Sequence, residues 1–193
     1  FTPFLSAVVS KAPIFALIVL VANVKVGVIE TTLGTIDPMH LLAWVGGVTA
    51  FGMALLAALQ EDAKRLMAYS SVGQVAYIVV GFAIATPLGW AAALYLTINH
   101  FLFKALLFIA VAGVVYRTGT RTFYELGGLI KRMPFSFVSL LIGIIAVSGV
   151  PPLSGFVGKW LIYEALIDRG WLLLTGLLMF ATMIAFLYLY RLG

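Results

Sequence analysis

Seven apolar stretches follow one another along the chain, at 4–22, 41–59, 66–85, 90–116, 134–150, 151–167 and 171–190, and the short segments between them gather most of the charged residues. Each stretch is close to the ~20 residues an α-helix needs to cross a ~30 Å hydrocarbon core. None alternates apolar with polar positions, which removes a β-barrel, and in lipid every backbone polar group must find its partner internally. The expected fold is therefore all-α: a polytopic membrane bundle of about seven transmembrane helices.

Two of the stretches are interrupted. Residues 151–159 read PPLSGFVGK and residues 3–11 read PFLSAVVSK, which match without gaps in Pro, Leu, Ser, Val and Lys. Helix breakers beside a lysine, at corresponding places in two halves of an apolar chain, are a sequence pointer to a transport site. Pro13 removes a backbone donor and disturbs the turn before it, so a break or kink is expected beside Lys11. As one helix, 134–167 would reach roughly 50 Å, well beyond the hydrocarbon core, and it is read as two crossings. An odd number of crossings then separates Lys11 from Lys159. The two lysine helices run in opposite directions on that count, and the repeat is inverted, with 1–60 closing a first unit and 61–193 forming a second.

Composition sharpens the class. With 63% apolar and 10% charged residues and a mean hydropathy of +1.14, the chain has too little polar surface for a water-soluble domain. The absence of cysteine excludes disulfides, thiolate metal sites and iron–sulfur clusters. His40 and His100 lie too far apart in sequence to suggest haem, so no cofactor or metal is expected in this chain. The net charge of +5 sits in short connections, where it sets topology and does not point to nucleic acid. With seven crossings, Lys64, Arg65, Arg117, Arg121, Lys131, Arg132 and Arg169 share one side against Lys25 and Arg191, and the positive-inside rule makes that side cytoplasmic. The chain opens on Phe1 with neither an initiator Met nor a basic leader, and the expectation is a piece of a longer polypeptide.

Three lysines, Lys11, Lys104 and Lys159, stand inside apolar stretches, where each costs about 2.5–3.5 kcal/mol on insertion scales. Such residues face a bundle interior or water and mark ion paths. A low dielectric disfavours the charged form of an amine, so a lysine placed there can give up and regain its proton. His100 lies four residues before Lys104, on the same helix face about 6 Å away, a spacing suited to a relay, and Tyr95, Thr97 and Asn99 are placed to hold water nearby. A structural reading stands beside this one: His100 hydrogen-bonded to a neighbouring helix, and Lys11 extended to the interface. Lys159 is eight residues from either end of its stretch, too deep to reach a surface easily. At the boundary near 60, Glu61 and Arg65 read as a solvated turn, while Asp62 and Lys64 stay open. Glu164, five residues after Lys159, faces either the same interior or the membrane surface, and the aromatic residues read as packing and interface anchors.

The motifs QEDAKRLMAYSSVGQ at 60–74, NHFLFKALLF at 99–108, GGL at 127–129 and PPLSGFVGK at 151–159 closely resemble those of the antiporter-like subunits. These form the proton-pumping membrane arm of NADH:quinone oxidoreductase (respiratory complex I) and recur in Mrp-type sodium/proton antiporters and membrane-bound hydrogenases. The resemblance implies that Lys11 matches the lysine of a first broken helix, Lys104 the central-relay lysine, His100 the relay histidine before it and Lys159 the lysine of the second broken helix. It implies that Asp62 and Lys64 match a charged pair near a half-channel. The glutamate that the family pairs with its first broken-helix lysine has no match here, and the repeat offset puts the counterpart of Lys104 about 44 positions before Phe1, both consistent with a longer parent chain. The function expected from the resemblance is that of a proton-translocating subunit of a redox-driven pump in a prokaryotic inner membrane, working among other membrane-arm subunits in a lipid bilayer, with electron transfer left to other chains. A sodium/proton antiporter subunit of the Mrp type and a hydrogenase antiporter-like subunit are the alternatives. A non-conducting structural subunit and a carrier of anionic solutes stand further off.

Overall fold

The computed structural model of the chain describes residues 11–23, 29–31, 34–120 and 129–190. The first copy of the repeated motif before Lys11, the side chain of Lys11 itself, Lys25, Glu125, Gly127, Gly128, Arg121 and Arg191 lie outside them. Helix α1 spans Lys11–Asn23 and contains Pro13. A short antiparallel pair follows, β1 Ile29–Thr31 with β2 Gly34–Ile36, in which Glu30 stands opposite Thr35. The polar connection expected there thus carries a hairpin.

Helices α2 Pro38–Ala58, α3 Ala63–Ala83 and α4 Pro87–Thr118 come next. Each begins at a side-chain cap: the carboxylates of Asp37 and Asp62 and the Thr86 hydroxyl accept backbone N–H groups that the first turn leaves free. Helix α4 ends on Gly119 in the left-handed region, φ 76°. After α5 Leu129–Arg132, the chain continues through α6 Pro134–Ser148, α7 Ser154–Asp168 and α8 Leu172–Tyr190. Four helices, α2, α3, α4 and α8, are long and apolar enough to cross a membrane. The expectation of an all-α membrane bundle holds.

Small residues set the packing. A Cβ at Gly46 would stand 2.7 Å from Val80 Cγ2 and 3.1 Å from the Ala76 carbonyl oxygen, and one at Gly47 would overlap Leu174. Helix α2 therefore lies close against both α3 and α8. Gly52, from the same run, has open space around it. Large apolar side chains such as Phe135, Leu173 and Leu187 are exposed, as suits a bundle whose solvent is lipid.

One expectation from the sequence is corrected here. The stretches 134–150 and 151–167 are not two crossings but two halves of one interrupted crossing. Gly143 of α6 packs on Leu107 of α4, Ser154 bonds to Asn99, and Gly158 packs on Leu96. The contacts thus climb α4 steadily in one direction. Leu107 and Leu96 are roughly 16 Å apart along a helix, whereas a chain folding back near 151 would bring Gly143 and Gly158 level. The length argument fails because α4 alone is 32 residues long, so the bundle stands taller than the hydrocarbon core. The odd count that made the two lysine helices opposite in direction falls with it. Arg169 also changes ends: Trp171, over whose ring its guanidinium lies at 5.8 Å, stacks on His40 at 4.4 Å, at the start of α2. Lys64, Arg65, Arg117, Lys131 and Arg132 remain together at the opposite end.

Candidate functional site

The break between α6 and α7 makes a ready acceptor for a cation. Gly149, at φ 76°, ends α6 in the left-handed region, and its N–H bonds back to Ile145. The last carbonyls of a helix have no partner within it and carry the negative end of its dipole. Two of them receive Lys159: its Nζ donates to the Ser148 oxygen at 3.0 Å and the Val147 oxygen at 3.3 Å. The ammonium also lies over the Tyr77 ring, 4.9 Å from its centre, a cation–π contact of the kind that gains strength on burial. Only 2% of Lys159 is exposed. The reading that places it inside the bundle holds, and no route to an interface is open to it.

Lys104, from the middle of α4, is fully buried. Its Nζ donates to the Met67 carbonyl oxygen at 3.2 Å and to the Ser70 hydroxyl, both on α3. Ser70 and Ser71 each donate to that same Met67 oxygen, at 2.9 and 2.8 Å. Tyr188 on α8 is buried as well. One turn along α4 lies His100, also buried.

Beside Lys159 is a cavity of about 20 Å³, lined by Gln74, Leu96, Asn99, His100, Phe103 and Lys159 among others. It has room for one water molecule. His100 and Lys159 come to it from different helices, α4 and α7, so two residues singled out in the sequence meet at one small space. Beyond Lys159, the Tyr77 hydroxyl donates to the Leu178 oxygen at 2.7 Å and pairs with Thr182 Oγ1 at 2.8 Å, and Tyr163 pairs with the same Thr182 at 2.6 Å.

Other residues singled out in the sequence lie elsewhere. Glu164 is exposed on the outside of α7 and takes no part in the interior. Asp62 serves the backbone: its Oδ1 accepts Lys64 N at 2.7 Å and Arg65 N at 3.1 Å. Asp62 and Lys64 therefore sit together at the end of the bundle without joining the line of buried amines. Asp62→Ala is expected to cost about 1 kcal/mol of stability through loss of the cap, seen as a lower melting temperature of the assembled protein, with transport retained. A loss of transport larger than the loss of folded protein would return Asp62 to the carriers.

Ser70, Gln74 and Tyr77 were not singled out by sequence reasoning, although a signal was present. They recur at intervals of four and three in the apolar stretch 66–85, which puts them on one helix face. Thr182 and Tyr163 carry no such pattern and are found only through their contacts.

A helical bundle with helices long enough to cross a membrane and with Lys104 and Lys159 buried in its interior defines a class: polytopic membrane proteins. A family model described as NADH:quinone oxidoreductase/Mrp antiporter, transmembrane, matches residues 1–185, and the chain belongs to that family. It is 30% identical to NADH-quinone oxidoreductase subunit N of Desulforudis audaxviator over 97% of this chain and 37% of that protein. Among solved structures, a chain of the membrane-bound sulfane sulfur reductase (MBS), an archaeal respiratory membrane complex, superposes with a TM-score of 0.87 at 39% identity, covering 99% of this chain and 32% of that one. A chain of the Mrp complex from Dietzia sp. DQ12-45-1b gives a TM-score of 0.78 at 26% identity, over 80% and 29% of the two chains. The chain thus spans about a third of the length of these three proteins.

Proposed function

We propose that this chain conducts protons across the membrane, as part of an antiporter-like subunit in a redox-driven complex, by passing them between Lys104, His100 and Lys159. The observation that carries this reading is the shared cavity, to which α4 brings His100 and α7 brings Lys159. Each amine has acceptors that hold its charged form: the Met67 carbonyl and Ser70 for Lys104, the Val147 and Ser148 carbonyls and the Tyr77 ring for Lys159. A proton leaves Lys104 for the imidazole of His100, one helical turn away, crosses the cavity by way of water, and is taken up by Lys159. Lys11 is the next amine in this scheme, toward the part of the polypeptide before α1. The end bearing Lys64, Arg65, Arg117, Lys131 and Arg132 faces the cytoplasm of a prokaryotic cell, by the excess of positive charge there. The partners are other membrane subunits and the surrounding lipid.

The likeness to a chain of the Mrp complex favours a second reading with the same carriers, exchange of sodium for protons. Flux measured in vesicles containing the whole complex separates the two. Proton uptake that accompanies redox turnover and is indifferent to sodium is expected; proton movement that requires a sodium gradient and ignores redox turnover would replace the first reading with the second.

A further inference from the structure

Asn99 presents an incomplete pattern of bonds. It is 9% exposed, its Oδ1 accepts the Ser154 hydroxyl at 2.9 Å, and its Nδ2 has no hydrogen-bond partner among the described residues. Leaving a buried amide donor without a partner is unfavourable, and native interiors generally satisfy such groups with protein partners or ordered water. Asn99 lines the cavity together with Gln74, His100 and Lys159. Lys159 has three N–H donors, of which two go to Ser148 and Val147. The cavity therefore brings four polar side chains, Gln74, Asn99, His100 and Lys159, into an otherwise apolar lining, with the volume for a water and an unmet donor to hold it.

We propose that this cavity is a single-water site and that Asn99 fixes that water between His100 and Lys159. This rests on the proton-conducting reading and adds a positioning residue to it. Ser154 is the first residue of α7 and Asn99 lies on α4, so the bond between them turns the amide and also ties the second half of the interrupted crossing to the relay helix. Water both donates and accepts, which lets one molecule meet the Asn99 amide and bridge an imidazole to an amine. Without it, transfer from His100 to Lys159 would have to cross an empty gap.

The test uses the whole complex in vesicles, with two substitutions. Asn99→Leu keeps the volume, removes the donor and makes the site apolar; Asn99→Ser shortens the side chain, supplies a hydroxyl donor in place of the amide and opens room for a second water. Proton pumping per redox turnover is expected to fall tenfold or more in Asn99→Leu and to stay within about threefold of the unsubstituted protein in Asn99→Ser. High-resolution maps are expected to show density for a water in the unsubstituted protein and none in Asn99→Leu. Equal losses in the two variants would assign Asn99 to tethering Ser154 and overturn the water site, as would unchanged pumping in Asn99→Leu. Lys159→Met, measured alongside, keeps the two ideas apart: if it pumps normally the proton-conducting reading fails, and if it is inactive while Asn99→Leu is not, only the water site fails.

Discussion

Lys104→Met and Lys159→Met are each expected to lower proton translocation on the order of a hundredfold, the scale at which a positioned proton-transfer group contributes, while leaving the bundle folded. Methionine matches the length of the lysine stem and fills the same space. Exchanging a buried charge for a well-packed apolar side chain of similar volume is often neutral or stabilising by about 1–4 kcal/mol. At Lys104 the acceptors left behind keep other donors, because Ser70 and Ser71 still bond to the Met67 oxygen. At Lys159 the Val147 and Ser148 oxygens lose the ammonium, so that variant is expected to be the less stable of the two. Since both lysines serve one path, the double variant should lose little more than either single one. Vesicle pumping assays at matched protein content check this; two variants that pump at the normal rate would leave the chain a structural subunit.

The second large effect is expected at Gly155. A Cβ there would overlap the Ala146 carbonyl oxygen and stand 2.9 Å from the Ala146 carbonyl carbon, backbone atoms of a helix that cannot swing aside as a side chain can. Gly155→Ala must push α6 and α7 apart at the break. Overpacking of this kind costs about 1–3 kcal/mol and sometimes more, and the separation draws Lys159 away from the carbonyls that hold it. Both stability and transport should fall. Gly113 is the control: it lies within α4 with nothing near a Cβ, and Gly113→Ala should be neutral or gain up to about 1 kcal/mol from helix propensity. A Gly155→Ala protein as stable and as active as Gly113→Ala would contradict the packing of the break.

Much of this was legible in the sequence because lipid makes the rules strict. Apolar length located α2, α3, α4 and α8, and the cost of a charge in hydrocarbon singled out Lys104 and Lys159 as interior groups. The break at Pro151-Pro152 was legible too, but its consequence was not. Proline and glycine say that a helix stops; they do not say whether the chain then turns back or carries on, and only the positions of Gly143, Ser154 and Gly158 along α4 decide it. The same limit hid Thr182, whose hydroxyl matters because Tyr77 and Tyr163 reach it from two other helices. Asp62 stayed open in the sequence, and its contacts show what a residue list could not: its carboxylate meets the first-turn N–H groups of α3.

The grip of one half of the interrupted crossing on the other has a mechanical meaning. The ammonium belongs to α7 and its carbonyl cradle to α6, so if the halves slip past each other the well that traps the charge becomes shallower, and when they re-seat it deepens. A displacement of α7 relative to α6 would therefore change how tightly the Lys159 ammonium is held, and loss of that charge would act back on the joint.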